Sequence, residues 1–362
     1  MFLTPTLIVS LPAIIANWQT LRAQFKGEEC AAVVKADAYG LGASEVARAL
    51  ANAGCHTFFV ATLEEAIELR TALPDVRILV FHGVLAGEEF AFAAHRLIPV
   101  LNSLEQIARW KPVAAEHVHA VSALHIDTAM ARMGLQPKEF ANLIARDPSI
   151  LEACRVGLVM SHLACAPEAT NPLNGKQLNL FHTALAHAQN IPASLCNSGG
   201  IYLPSEFHFH LARPGCSLYG IAPQNDGANP MMQVATWNAP ILTTRILEQA
   251  QTIGYGASAH APTGARIATV ASGYADGYLR HLSNKGIGYL GEHQVPLIGR
   301  VTMDMLCFDV SNVPESLLHE GATITLLGDK PDIRVDEVAA SAETIGYEVL
   351  TRIGPRVKRV YA

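Results

Sequence analysis

Charge is scarce in this sequence. Only 16% of its 362 residues are Asp, Glu, Lys or Arg, the balance is −6, and no basic block interrupts the chain. Such a chain offers no electrostatic footing for nucleic acid or for an anionic membrane. Paired cysteines are missing as well. The seven cysteines (Cys30, Cys55, Cys154, Cys165, Cys196, Cys216 and Cys307) are odd in number, lie mostly in apolar stretches and form no CxxC pair. That excludes a disulfide framework and a zinc ribbon, and the simpler reading is a reducing cytoplasm. The first 21 residues carry no charged side chain. They also lack the basic start of a signal peptide and are broken by Pro5, Ser10, Pro12, Asn17 and Gln19, so they read as a strand, Thr6 to Val9, and a helix capped by Ser10.

Hydrophobic residues, by contrast, make up half of the chain, with 27 Gly and 20 Pro dispersed among them. That composition implies a large core divided between about two domains. Short apolar runs at 31–36, 57–61, 77–81, 98–101, 123–127, 155–160, 193–196 and 216–220 alternate with helix-period segments. Among the latter are Ala43 to Ala53, and Leu63 to Leu73 behind the capping box Thr62-x-x-Glu65. Strands that are apolar on both faces and separated by helices form a parallel sheet, and a count of eight predicts a closed (β/α)8 TIM-type barrel over residues 10–225. The polar stretch Pro223 to Pro230 leads into a mostly β domain, 226–362. Its expected strands are Ile241 to Leu247, Arg266 to Ala271, Gln294 to Arg300, Met305 to Val310 and Thr323 to Leu327, with one helix at Asp336 to Thr344.

Lysine is the rarest charged residue, with eight in the chain, and Lys35 interrupts the apolar strand Ala31-Ala32-Val33-Val34-Lys35-Ala36. Taken alone, it reads equally as a strand-end lysine snorkelling to solvent. Its position at the C-terminal end of the first barrel strand favours a site residue, because barrel enzymes assemble their chemistry on that face. A partly desolvated lysine there has a lowered pKa and can form a Schiff base with a carbonyl cofactor.

The segment Val34-Lys35-Ala36-Asp37-Ala38-Tyr39-Gly40-Leu41-Gly42 resembles the pyridoxal-phosphate lysine motif of the alanine racemases. Further matches follow in order: Asp127 to Gly134, Met160-Ser161-His162, Asn197-Ser198, Arg213-Pro214-Gly215 with Leu218-Tyr219-Gly220, Gly254-Tyr255-Gly256, Gly273 to Gly277, Met303-Asp304 and Tyr347-Glu348-Val349. Each is a weak pattern by itself. Together they span residues 34 to 349 in the order of one family.

The resemblance implies a barrel followed by a β domain, with the N-terminal strand 2–9 returning to the β domain, and a cytoplasmic homodimer with shared active sites. It implies pyridoxal 5'-phosphate linked to Lys35, with Tyr39, His162, Asn197, Ser198, Gly215, Cys216 and Tyr347 around the cofactor and its phosphate held by hydroxyls and loop amides. Arg213 would face the pyridine nitrogen and donate a hydrogen bond without delivering a proton, which weakens the ring as an electron sink and suits rapid proton removal and return. Racemisation needs acid/base groups on opposite faces of the substrate Cα. By the family pattern these are Lys35 and, from the second subunit, Tyr255, with His162 and Arg132 as the neighbours that tune the tyrosine. Arg132 and the backbone N–H of Met303 would meet the substrate carboxylate. The activity implied is interconversion of L-alanine and D-alanine, supplying D-alanine for peptidoglycan. The rivals are a broader racemase accepting serine and a non-catalytic pyridoxal-phosphate-binding protein.

One position departs from the pattern. Many members have a carbamylated lysine paired to the arginine that matches Arg132, where this chain has His125 in His125-Ile126-Asp127-Thr128-Ala129-Met130. A histidine holds no stable carbamate, so Arg132 must be oriented by a bound anion, a polar side chain or water. Ala129 in place of Gly and Cys216 in place of an aliphatic residue are smaller changes. His117-x-His119 and His208-x-His210 put two imidazoles on one face of a strand but bring no third ligand, so no metal is assigned. Gly40-x-Gly42 lacks the rest of a dinucleotide fingerprint.

Overall fold

The structure is a computed structural model that describes residues 4–319 and 321–362. Seven parallel strands run in chain order: Ala32–Val33, Thr57–Val60, Arg77–Val80, Ile98–Leu101, Ser122–His125, Val156–Met160 and Ala193–Ser194. An eighth, Leu211–Ala212, pairs with Glu29–Cys30. It also receives the chain on its other side, through His210 N to Ala193 O and Arg213 N to Cys196 O, while Ala31 N and Val33 N bond Ala212 O and Pro214 O. Those bonds close the (β/α)8 ring. Both faces of each strand are covered, which is why the runs do not alternate. Ala31, Val33, Phe59, Leu79, Val100, Ala123, Leu158, Met160 and Leu211 fill the interior. Their neighbours Phe58, Ile78, Leu101, Leu124 and Val159 pack outward under the helices.

The eighth strand is not where its apolar run predicts it. Residues 216–220 were expected to supply it, but Cys216–Tyr219 is a 3₁₀ helix. Pro214 cannot donate to a ladder and Gly215 breaks the extended run, so the chain turns inward at the barrel mouth. The apolar residues that follow are buried for another reason: the Asn17 amide donates to Leu218 O at 3.2 Å and Tyr219 Oη to Val33 O at 2.9 Å. Helices Ala43–Asn52 and Leu63–Ala72 fall where the pattern puts them, and Thr62 with Glu65 forms the capping box. Helix Leu11–Gln24 starts at Ser10, whose Oγ accepts from Ala13 N at 3.3 Å.

In the β region the ladder runs His293–Pro296, Ile287–Leu290, Thr323–Leu327, Ala235–Ile246, Thr6–Val9 and Lys358–Tyr361. Arg266–Val270 pairs with the far half of Ala235–Ile246, and Leu306–Asp309 pairs with Arg266–Val270. Thr6–Val9 lies antiparallel to Ala235–Ile246 and parallel to Lys358–Tyr361. Of the N-terminal segment 2–9, Phe2 and Leu3 lie outside the described residues. Several elements here depart from the sequence reading. The segment Gln294 to Arg300 is extended only to Pro296, keeping a single bridge from Leu297 to Phe308 before Gly299 turns at φ 86°. Helix Val335–Ser341 has a companion, Gly346–Thr351, and four strands, Gln251–Thr252, His260–Ala261, Ile287–Leu290 and Lys358–Tyr361, were not foreseen. All are short, and the last carries charges on an edge, which hides the apolar periodicity that would mark it. No helix among the described residues is long and apolar enough to cross a membrane.

Candidate active site

A cavity of about 450 Å³ opens at the C-terminal mouth of the barrel, and its walls include Lys35, Tyr39, His125, Arg132, His162, Asn197, Ser198, Arg213, Gly215, Cys216 and Tyr347. Of the catalytic, cofactor-binding and substrate-binding residues named from the sequence, Tyr255 and Met303 are absent from it.

Lys35 ends the first barrel strand, and the chain then does something the sequence does not announce. Ala36, Asp37, Ala38 and Tyr39 all have positive φ, at 51°, 54°, 52° and 57°. This is one turn of left-handed helix, which costs L-residues roughly 1–2 kcal/mol each and persists only where neighbours hold it. Two glycines, Gly40 at φ 84° and Gly42 at φ 99°, carry the chain out of it. Asp37 Oδ1 accepts from Ala43 N at 2.6 Å, and Glu65 Oε1 accepts from Ala36 N at 2.7 Å. Glu65 was legible as a helix cap, but not as a tie to the lysine turn. The Lys35 ammonium lies 5.9 Å from the centroid of the Phe81 ring. Burial lowers its pKa, Arg132 lowers it further, and Glu65 opposes both.

Arg213 is 2% exposed and follows the eighth strand. Its Nη1 donates to Ser194 Oγ and its Nη2 to Ser161 O, while its Nε is buried without a partner. Burial lowers its pKa to about 10, so the group is still a cation near neutral pH. An unmet charged donor in a fully formed cavity is costly unless a ligand supplies the acceptor. Of the residues that orient the guanidinium, Ser161 lay within the matched Met160-Ser161-His162 but was given no role, and Ser194 was not singled out, with only its position at a strand end to flag it.

Two loops meet beside Arg213. Ser198 precedes the 3₁₀ helix Gly199–Tyr202 and Gly215 precedes Cys216–Tyr219, and the first N–H groups of any helix lack partners within it. Ser198 Oγ ties the loops together by accepting from Gly215 N at 3.0 Å and Ser217 N at 3.4 Å. A Cβ at Gly215 would lie 2.5 Å from Tyr39 Oη, so the close approach requires glycine. Tyr347, on helix Gly346–Thr351, donates to Cys216 Sγ at 2.9 Å. Burial raises the pKa of both Tyr39 and Tyr347, with Cys216 adding to each, so both hydroxyls keep their protons. Asn197 braces this wall, donating to Leu163 O and accepting from Gly200 N.

Of the three histidines that line the cavity, His125 and His162 are neutral. His162 is pushed well below its ordinary value by burial, then by Arg213, Arg132, His125 and Lys35. His125 is lowered to about 4, by burial first and Arg213 next. His125 Nδ1 lies 2.9 Å from Asn102 Oδ1, and the Asn102 amide donates to Phe81 O and Val100 O. With its NH2 committed, Asn102 offers only an acceptor, so Nδ1 carries the proton and Nε2 is a lone-pair acceptor. Asn102 was not foreseen. Arg132 is exposed and forms no hydrogen bond or ion pair among the described residues. It sits on a loop where Ala129 and Ala131 take φ of 79° and 57°, held by Asp127 Oδ1 accepting from Met130 N and Ala131 N.

Tyr255 is 74% and Met303 53% exposed. Tyr255 begins the turn Tyr255–Ala257, between Gly254 at φ 69° and Gly256 at φ 71°. The loop of Met303 is anchored through its neighbour: Arg356 bridges Asp304 at 2.8 Å and the buried Asp276 at 2.9 Å. The histidine pairs do not sit on strands. His208 and His210 lie in turns, each accepting a backbone N–H at 3.0 Å through Nδ1; His117 caps a helix and His119 follows in a turn. Among the described residues no group of three or more His, Cys, Asp or Glu could hold a metal.

Comparison with known proteins matches the same two-part plan. Residues 9–223 match the family "Alanine racemase, N-terminal domain" and residues 234–361 "Alanine racemase, C-terminal domain". The alanine racemase of Rhodospirillum rubrum is 48% identical over 361 residues, covering 99% of this chain and 96% of that protein. The catabolic alanine racemase of Agrobacterium fabrum is 42% identical, covering 98% and 91%. The crystal structure of alanine racemase from Bartonella henselae, with covalently bound pyridoxal phosphate, superposes with a TM-score of 0.92 at 37% identity and covers 99% of each chain. The biosynthetic enzyme of Pseudomonas aeruginosa gives 0.87 at 33%, covering all of both chains. Pyridoxal 5'-phosphate is the cofactor of these enzymes, and the unmet Arg213 Nε, the lysine of lowered pKa and the hydroxyl-lined loop junction are the donor set it needs. The chain belongs to the alanine racemases, pyridoxal-phosphate-dependent isomerases.

Proposed function

We propose that this protein interconverts L-alanine and D-alanine by a two-base mechanism, as a cytoplasmic homodimer in which each active site is completed by the second chain, and that it supplies D-alanine for peptidoglycan. The division into a barrel, 10–225, and a β domain, 226–362, with strand 2–9 joining the latter, is part of this reading. The observation that carries it is the shared cavity of Lys35 and a buried Arg213 with an unpartnered Nε.

Pyridoxal phosphate, when bound, acidifies the Cα–H of an amino acid attached to it. Lys35 would hold the cofactor and, as a free amine, take or return the Cα proton on one face; its lowered pKa favours the neutral amine this requires. Tyr255 of a second copy serves the opposite face. Its exposure and its absence from the cavity of its own chain support that assignment. His162, held neutral, accepts a hydrogen bond from the tyrosine and keeps it in place. Arg213, with its Nε–H free, would face the ring nitrogen of the cofactor, while Ser198, Tyr39, Tyr347 and the amides near Gly215 and Cys216 would hold its phosphate, with Asn197 behind them. Arg132 and the Met303 amide receive the substrate carboxylate. With His125 in place of a charged lysine carbamate, Arg132 is oriented by a neutral acceptor, the His125 Nε2 lone pair, directly or through water.

Mixing inactive Lys35→Ala subunits with inactive Tyr255→Phe subunits tests the shared site. A hybrid dimer contains one site with both bases, so activity should return to a sizeable fraction of wild type. No recovery, with subunit exchange verified, would exclude a site shared between chains.

A further inference from the structure

The left-handed turn after Lys35 is fastened from outside at both ends. At its start, the Glu65 carboxylate accepts from Ala36 N at 2.7 Å with one oxygen, and from Ala61 N at 2.7 Å and Thr62 N at 3.4 Å with the other. One side chain thus joins the turn to the end of the next strand and to a helix cap. At its far end, Arg359 on the C-terminal strand donates to Gly40 O through Nε at 3.2 Å and Nη2 at 3.0 Å. The same guanidinium reaches Ile353 O, Gly354 O and Val357 O. The β domain also lies directly on the turn's backbone: a Cβ at Gly42 would fall 1.9 Å from Tyr361 Oη, and one at Gly40 would fall 2.7 Å from Leu350 O.

Four consecutive L-residues in the left-handed region do not hold that conformation by themselves. The turn's own bonds, among them Ala38 N to Val34 O, Leu41 N to Ala38 O and Asp37 O, and Gly42 N to Asp37 O, do not remove the steric cost of these dihedrals. Relaxation toward ordinary dihedrals would rotate the chain immediately after Lys35 and move its amine. We propose that Glu65 and Arg359 are positioning residues for Lys35, pinning the two ends of the left-handed turn so that the amine is kept in the cavity, with the β domain of the same chain supplying one of the two pins. This rests on the reading of Lys35 as the cofactor-bearing lysine. A single β domain then serves two sites: it secures Lys35 in its own chain and offers Tyr255 and Met303 to the other.

Hydrogen exchange on apoenzyme and holoenzyme tests the pins apart from the chemistry. In Glu65→Gln and in Arg359→Ala, the amides of Ala38, Leu41 and Gly42 should exchange about tenfold faster or more, while those of the barrel strands, such as Leu79 and Val159, stay unchanged. In the holoenzyme of each variant kcat should fall about tenfold with KM for alanine within about threefold, and Arg359→Lys should restore part of the loss. Unchanged exchange at the three amides in both variants overturns the proposal, as does a uniform acceleration across the chain, which marks a merely structural role. If Arg359→Ala does not fold, Glu65→Gln decides from the opposite end. Lys35→Ala separates the two readings: it should lose the visible absorbance of the lysine-linked cofactor yet keep the turn's slow exchange. Retained absorbance there would reject the role of Lys35 while the exchange data still judge the pins.

Discussion

Arg213 and Tyr255 stand at opposite extremes, one 2% and the other 74% exposed, although both are set by short turns next to strands. Arg213 has its direction fixed by Ser194 and Ser161 within its own barrel. Around it His162, His125 and Asn102 are likewise held, each in one protonation state or orientation. Tyr255 and Met303 project from the β domain on exposed loops, the first set by the backbone of a turn between two glycines and the second by Arg356 bridging Asp304 and Asp276. The contrast teaches that the barrel holds a cofactor cradle built by one chain, while the β domain presents groups whose placement is finished by something else, which we assign to a second copy.

The largest test compares the two bases across that divide. Lys35→Ala should lower turnover by about 10⁴-fold or more and remove the cofactor's visible band, because in the function proposed above the residue both holds the cofactor and moves a proton. Tyr255→Phe should lower turnover by about 10²–10⁴-fold and leave the band intact, since an exposed tyrosine contributes nothing to the cradle. Paired absorbance spectra and racemisation assays decide it. A Tyr255→Phe protein that binds no cofactor would show that the two regions are not functionally separable within the chain.

The two arginines sharpen the comparison at the level of stability. Arg213→Ala leaves Ser194 and Ser161 O without their donor inside a closed barrel and should cost about 2–4 kcal/mol in urea unfolding. Arg132→Ala removes an exposed side chain with no partner among the described residues, so stability should change by less than about 0.5 kcal/mol, while KM for alanine rises about tenfold or more. Equal destabilisation by both would mean that Arg132 is held in the barrel as firmly as Arg213.

Much of the barrel was legible because its strands are apolar on both faces and its helices carry capping signals, as Thr62 and Glu65 illustrate. The eighth strand was misplaced since Leu211–Ala212 is only two residues long while the neighbouring run, Cys216 to Gly220, is apolar for packing against helix Leu11–Gln24 and not for pairing. The residues of the cavity were named by motif, and the fold gathers them from loops after different strands. What no motif conveys is how they are held. The left-handed turn, Glu65 reaching Ala36, Asn102 fixing the His125 tautomer and Ser161 with Ser194 behind Arg213 all depend on contacts between residues distant in sequence. Helix Gly346–Thr351 was missed because six residues give too little periodicity to read.

The His125 site predicts a pH effect of intermediate size. Its folded pKa, about 4, is below the ordinary 6.5, so the fold favours the neutral ring. The unfolded chain binds the proton first as pH falls through 6.5, and stability present above that value is lost progressively down to about pH 4. The loss attributable to this residue is on the order of 3 kcal/mol. Urea unfolding of the apoprotein at pH 7 and 4.5 should show a smaller difference in His125→Gln than in wild type, with His162 sustaining the remainder. An identical difference in the two proteins would mean that His125 takes up its proton alike in the folded and unfolded chains and would remove the basis for an Nε2 acceptor next to Arg132.

The smallest expected effect lies on the exposed side of the comparison. If Met303 meets the substrate carboxylate through its backbone N–H, the thioether is dispensable, and the loop is kept in place by Arg356 bridging Asp304 and Asp276. Met303→Ala should then change kcat/KM by less than about threefold, the size of effect ordinary for an exposed apolar side chain. Met303→Pro, which deletes the N–H, should raise KM by about tenfold, near the value of one hydrogen bond to a charged group. The order of these two variants is the informative quantity: a larger loss in Met303→Ala would mean that the side chain enters the partner's cavity, and that the β domain contributes a packed wall there as well as a donor.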